Sequence, residues 1–245
     1  MQPWSVALLV LLGIVQKSAT LQADSGHFLY VGTFSAESSA EALPSGWEPL
    51  TFQKVKKHTR YTLVEDNVVV VKAESSSSAS GLVRKIRIDP EEYPILTWRW
   101  KVADTNKKSD ITRKKGDDCP ARLYITFEYD PSRLSVLEKA KHSAAKLFYG
   151  AHSPYEAIAY TWDSKAPTGA VIPNSYTAKV MMIVVESGNA RLNTWVQEER
   201  NILKDYQSVF GGKPPMISGV AIMTDTDNTK ESAVSYYGDI VFTKK

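Results

Sequence analysis

The chain has 245 residues, 43% of them hydrophobic, 10% aromatic and 23% charged, with 30 Lys and Arg against 27 Asp and Glu for a formal net charge of +3. This composition excludes a disordered tail, which is poorer in apolar residues and more lopsided in charge. Cys119 is the single cysteine, which excludes a disulfide scaffold. The weak basic excess is not that of a nucleic-acid binder, and the apolar runs of about 20 residues that repeat in a multi-span membrane protein are missing.

Residues 1–23 are predicted to be a signal peptide. Residues 5–15 (SVALLVLLGIV) form a short apolar run followed by polar residues, with small residues at Ala19 and Ala23 suited to cleavage. The first four residues carry no Lys or Arg, so an uncleaved membrane anchor stays as the alternative. Cleavage after Ala23 removes Lys17 and no acid, which lowers the charge from +3 to +2. The remainder, 24–245, is predicted to be one exported domain, periplasmic or secreted. A lone Cys there has no intrachain partner, so Cys119 is predicted to be a small buried residue, with a free thiol as the alternative.

From residue 68 onward the chain reads as strands. Residues 68–73 are a β-branched run after the Glu65-Asp66-Asn67 turn, and 75–80 a serine-rich loop. Residues 82–88 alternate apolar and basic. In 95–102, Leu96, Trp98, Trp100 and Val102 share one face. In 122–129, Leu123, Ile125, Phe127 and Tyr129 face one way, and Arg122, Tyr124, Thr126 and Glu128 the other. Such alternation predicts a sheet with one buried and one wet face. Residues 178–185 are apolar on both faces and predict a central covered strand. Strands at 217–224 and 232–242 complete the set. Helices are predicted at 132–149, capped by Ser132, and at 198–210, ended by Gly211-Gly212. Many strands with turns between them predict a mainly β fold, a β-sandwich of the jelly-roll, galactose-binding-like kind with two decorating helices.

Polar clusters fall at the strand ends. Asp117 and Asp118 precede the 122–129 strand; neighbours in sequence point apart, and one of them with a loop carbonyl suits Ca²⁺, while the alternative is an aspartate-rich turn. Asp225-Thr226-Asp227-Asn228-Thr229 places oxygen ligands at alternate positions, as a calcium loop does, with Asp225, Asp227 and Asn228 the candidate ligands, but the EF-hand glycine is missing and Tyr236 stands where the closing Glu belongs. The alternative there is a hairpin turn whose side chains bond their own backbone. On the predicted second helix, Arg200 and Asp205 lie five apart and do not face each other, whereas Arg200 and Lys204 repel at i,i+4. Trp98 and Trp100 are predicted core; Trp162, beside Asp163, and Tyr124 are the better aromatic candidates for ligand contact. The four His form no zinc-type pair, and neither a G-x-S-x-G elbow nor a phosphate loop is present. Any chemistry falls to Asp117, Asp118, Asp225, Asp227, Asp239 and Arg122.

The stretches LTWRWKV (96–102), GDDCPARLYITF (116–127), ERNILKDYQSVFG (199–211), IMTDTDNT (222–229) and YYGDIVF (236–242) resemble, in this order, an exported bacterial family classed as a domain of unknown function. The resemblance spans roughly 34–242 and implies an exported β-rich domain with no established activity. It carries over onto Asp117, Asp118, Arg122, Trp162, Asn174, Arg200, Asn201, Asp205, Asp225, Asp227, Asn228 and Asp239. The Cys119 position more often holds an aromatic in that family, which implies no thiol role. The closing strand is also similar to the last strand of jelly-roll carbohydrate-binding modules.

Two functions are compatible with these residues, beside a purely structural envelope role in which the polar clusters scatter over the surface. The first is a module binding a glycan or other polar envelope ligand. It would use Asp117, Asp118, Arg122, Tyr124, Trp162, Asn174, Arg200, Asn201 and Asp205, with Ca²⁺ held by Asp225, Asp227 and Asn228. The second is a carbohydrate-active or other hydrolase using Asp117 or Asp118 with Asp225 or Asp227. Convergence of Asp118, Arg122, Arg200, Asp205 and Asp227 on one pocket would favour a ligand site.

Overall fold

The computed structural model describes residues 26–40, 42–129 and 156–245. The predicted signal peptide and the predicted helix at 132–149 lie outside the described residues.

Thirteen strands are described: β1 (Phe28–Gly32), β2 (Glu48–Leu50), β3 (Arg60–Asp66), β4 (Val68–Ser76), β5 (Ala79–Ile88), β6 (Ile95–Val102), β7 (Ala121–Phe127), β8 (Glu156–Asp163), β9 (Val171–Asn174), β10 (Thr177–Ser187), β11 (Val196–Asn201), β12 (Ile217–Asp225) and β13 (Ser232–Thr243). One α-helix, α1 (Ile202–Val209), follows β11 directly. The first sheet runs β11-β6-β13-β4-β3, with β1 also on β13; the second runs β2-β5-β12-β7-β8-β10-β9. Pairing is antiparallel except between β8 and β10. From β4 to β7, and again from β10 to β13, the chain alternates between the two sheets, as in a jelly-roll sandwich.

The inner faces follow the alternation in the sequence. Trp98 and Trp100 of β6 are buried and T-shaped to each other at 5.4 Å between ring centroids. Across the gap Trp98 meets Tyr160 of β8 at 5.2 Å and Trp100 meets Trp162 at 6.2 Å. Leu123, Ile125 and Phe127 of β7 and Val220 and Ile222 of β12 fill the same core. Aromatic pairs of this geometry contribute about 0.5–1.5 kcal/mol each beyond the area they bury.

Four expectations need correction. The outer face of β7 is not wet, because Ile111 and Cys119 from the β6–β7 connection pack with Met182 and Val184 into a second apolar cluster on that side of the sheet. Arg122 is consequently buried. The predicted serine loop is nearly all strand: only Ser77 and Ser78 lie between β4 and β5, with Ser77 at φ 50°. The β12–β13 loop is no hairpin but a crossover between sheets. Finally, residues 198–201 belong to β11, and the helix begins only at Ile202. Asn201 accepts the Lys204 amide at 3.0 Å as the helix cap, and the chain leaves the helix through Gly211 at φ 78°.

Candidate functional site

The predicted polar residues separate into two places. The first is an acidic end where the crossovers between sheets meet. Asp117 and Asp118 follow a tight turn at Lys114–Gly116. A Cβ on Gly116 would stand 2.8 Å from the Asp110 amide nitrogen, so the turn closes only around glycine. The two carboxylates do point apart. Asp118 reaches across to the β12–β13 crossover and accepts the amides of Asn228 at 3.1 Å and Thr229 at 2.6 Å. Asp117 instead takes Arg122 Nη2 at 2.8 Å, Asn174 Nδ2 at 2.9 Å and the Ser175 hydroxyl at 2.8 Å.

Arg122 sits at the middle. Its Nη2 also donates to Asp225 Oδ2 at 3.2 Å, and its Nε lies 3.2 Å from Oδ1, an ion pair out of line for a hydrogen bond. Nη1 donates to the Tyr124 hydroxyl at 3.3 Å. Burial pushes the Asp225 carboxyl well up; the Arg122 charge pulls it back, and Asp118 and Asp117 push it up again. Burial and then Asp118 raise half-buried Asp227 in the same way. Cys119 is wholly buried and its thiol is pushed up by that burial, as befits a packing residue.

One carboxylate oxygen from each of Asp118, Asp225 and Asp227 lies within 4.8 Å of the others. Ligands of one Ca²⁺ stand about 2.3–2.6 Å from the ion, so this spacing fits a shared hard cation. The fit extends to donor chemistry: all three are oxygens, and an ionised carboxylate keeps lone pairs free after accepting one or two N–H bonds. The group could hold a metal ion.

The second place is an open edge of the sandwich, where β11 and α1 of one sheet lie against β9 and β10 of the other. Strand alternation turns Val196, Glu198 and Arg200 inward, opposite Trp100, Trp98 and Leu96 of β6. Here Glu198, Arg200, Asp205 and Ser208 face Thr168, Val171, Ile183 and Val185 across a recess of about 230 Å³. Arg200 and Asp205 form a two-pronged pair, Nε to Oδ2 at 2.9 Å and Nη2 to Oδ1 at 2.6 Å. Their separation along the chain misled because it is not helical: the strand ends and the helix starts between them. Tyr160 donates its hydroxyl to the same Asp205 Oδ2 at 2.7 Å, fixing the carboxylate from below.

Glu198 accepts the Trp100 indole N–H at 3.2 Å. Burial raises its carboxyl to about 7, and nearby Glu186 adds to the rise; Trp100, Arg191 and Arg200 oppose it. Glu186 itself is paired with Arg191. Glu198 is absent from the candidate residues of the sequence because a helix is expected at 198–210. The signal was present: Val196, Glu198 and Arg200 alternate, and Asn201 before Ile202 with Asp205 in the first turn is a helix start.

Asp118, Arg122 and Asp227 therefore converge, while Arg200 and Asp205 converge elsewhere. Trp162 serves neither place: it is wholly buried in the core, its indole N–H donating to the Gly188 carbonyl at 3.0 Å. Tyr124 lies on the outer face of β7 against Arg122. Its burial raises the phenol to about 12. Asn174 also accepts the Tyr176 amide at 3.0 Å, and Asn201 is occupied as the helix cap. Asp239 accepts the Ser35 amide at 2.9 Å, and Glu128 pairs with Arg87 at the surface. Of the acids a hydrolase could use, Asp117, Asp118 and Asp225 are at most 3% exposed, while Asp227 is half-buried.

These features define a two-sheet β-sandwich with a closed acidic end and an open polar edge. The chain belongs to the family described as "Protein of unknown function (DUF3047)", which matches residues 45–241. No curated relative matches it. Among solved structures it is similar to the family 11 carbohydrate-binding module of the cellulosomal cellulase Lic26A-Cel5E of Clostridium thermocellum, at 10% identity and a TM-score of 0.43 over 91% of this chain and 97% of that one. It is also similar to the K1 cleaved adhesin domain of Lys-gingipain from Porphyromonas gingivalis W83, at 11% identity and a TM-score of 0.39 over 89% and 98% of the two chains. What those domains bind is a property of theirs.

Proposed function

We propose that this protein is an exported binding module for a small polar ligand, a glycan residue or another polar envelope component, and that the ligand enters the recess between β11–α1 and β9–β10. The observation that carries this reading is the recess itself. It combines an apolar floor of Val171, Ile183 and Val185 with a few convergent polar groups, the usual make-up of a ligand site. At about 230 Å³ it is smaller than the roughly 300–1,000 Å³ of a drug-sized pocket, which suits one sugar ring or the end of a chain. Arg200 offers N–H donors beside carboxylate acceptors, and hydroxyls set next to each other on a sugar need both.

The acidic end supports a different role. Asp118, Asp225 and Asp227, with Asn228, would bind Ca²⁺ and clamp the crossover between sheets, while Arg122 offsets part of the charge.

The binding half is tested with a glycan array followed by calorimetry on the best ligand. Arg200→Ala is expected to weaken binding about 10- to 100-fold, the usual cost of a charge-assisted hydrogen bond, while Arg87→Ala on the surface leaves it unchanged. Equal affinity in wild type and Arg200→Ala would remove the recess from consideration.

A further inference from the structure

Glu198 and its exposed neighbour Glu199 make no ion pair among the described residues, and of the two only Glu198 is turned inward by the strand alternation. Arg200 is taken up by Asp205 in a two-pronged pair, and Arg191 by Glu186. Glu198 has one hydrogen bond, from Trp100, and faces the recess beside Asp205. The charged groups around it are Glu186 and Arg191 from β10 and the turn after it, Arg200 and Glu199 from its own strand, and Asp205 from α1. The carboxylates outnumber the cations there, and both cations already serve other acids. A half-buried carboxylate in this setting is stabilised by a positive charge delivered from outside. The recess also walls that position with Val171, Ile183 and Val185, which strengthens any ion pair formed inside it.

We propose that the recess selects a ligand bearing a protonated amine, an amino sugar or an amine-substituted envelope glycan, and that Glu198 is its counter-ion. The proposal rests on the recess being the binding site. Arg200 and Ser208 take the ligand hydroxyls, the apolar floor takes the ring, and Glu198 takes the ammonium. The pH dependence has a fixed sign. Glu198 carries its proton below about 7 and loses it above, so the form that attracts an ammonium grows as pH rises. Only the ionised fraction binds the amine well, and that fraction rises about tenfold between pH 6 and pH 8.

The test uses one ring with three groups at C6: 6-amino-6-deoxyglucose, glucose and glucuronate. The primary amine stays protonated across most of this range, so the pH dependence reports the protein. Calorimetry or NMR titration of the full chain is expected to give tightest binding for the amine. Its affinity should rise about tenfold from pH 6 to pH 8, with glucose flat and glucuronate weakest. Glu198→Gln keeps the size and the bond from Trp100, and is expected to bring the amine down to the glucose level and flatten its pH profile. A direct readout in the wild type is the Glu198 carboxyl carbon resonance, whose midpoint should fall when the amine saturates the site. Equal binding of glucose and the amine, or an unmoved Glu198 midpoint, overturns the amine assignment and leaves the recess as a neutral sugar site. Failure of all three sugars to shift any recess resonance at millimolar concentration overturns the recess reading itself, and the amine assignment with it.

Discussion

The acidic end and the open edge are built from the same parts, an arginine set among carboxylates where strands end, yet they behave differently. At the acidic end Arg122 is 2% exposed, and its partners come from two separate stretches of chain, Asp117 and Asp225. Asp118 spends both oxygens on backbone amides of the opposite crossover. This arrangement ties the two crossovers to each other and to the end of the second sheet. At the edge the Arg200 side chain is 35% exposed, its partner is five residues away in the same strand–helix corner, and an unfilled space lies beside it. Arg200 holds little of the fold and keeps part of its guanidinium exposed at the recess. The comparison teaches that residue type identifies a polar site but burial decides its role.

The largest effect expected from breaking the comparison is at Arg122. Arg122→Met strands Asp117 and Asp225 without their countercharge, and the cost should be about 3–5 kcal/mol. For a domain of this size that is a fall in Tm of roughly 6–20 °C by circular dichroism. Arg200→Ala, partly solvated and with Asp205 still held by Tyr160, should cost no more than about 1 kcal/mol in the same melt. Similar losses from both variants would erase the distinction.

Calcium should act on one region alone. At 100 times its dissociation constant Ca²⁺ is expected to stabilise the wild type by about 2.7 kcal/mol. Asp227 is the most exposed of the three candidate ligands, so Asp227→Asn should melt like wild type in chelator and lose the calcium response. A rise in Tm that persists in Asp227→Asn would place the ion elsewhere.

A pH dependence from the edge is smaller than the Arg122 and calcium effects. The Glu198 carboxyl titrates near 7 in the folded chain against about 4.5 in the unfolded chain. The folded state therefore holds the extra proton between these values, and stability falls as pH rises through that window. Solvent screening of a half-buried group leaves on the order of 1–2 kcal/mol of the effect. Urea titrations should accordingly find Glu198→Gln close to wild type at pH 4.5 and more stable at pH 8. A variant no more stable than wild type at pH 8 would mean the native Glu198 is an ordinary exposed carboxylate.

Much of the sandwich is legible in the chain. The alternation in β6 and β7 names the inner residues correctly, from Trp98 to Phe127, because a strand exposes only two faces and one must be dry. The acids at 117–118 and 225–228 are recognisable as strand-end clusters, and the separate directions of Asp117 and Asp118 follow from adjacency alone. The helix expected at 198–210 begins only at Ile202: Glu198 and Arg200 belong to a strand, and the capping role of Asn201 marks the boundary.

The sequence by itself determined which residues of β6 and β7 face the core and which short motifs hold the polar chemistry. Those follow from local periodicity and composition, which act over a few residues. Only the tertiary structure decided that Arg122 is sealed beneath the Ile111–Cys119 cover, that Trp162 lies in the core, and that Glu198, Arg200 and Asp205 share a recess. Each of these depends on which strands lie side by side and what packs over them, and such contacts join positions too far apart in the chain for any local pattern to record.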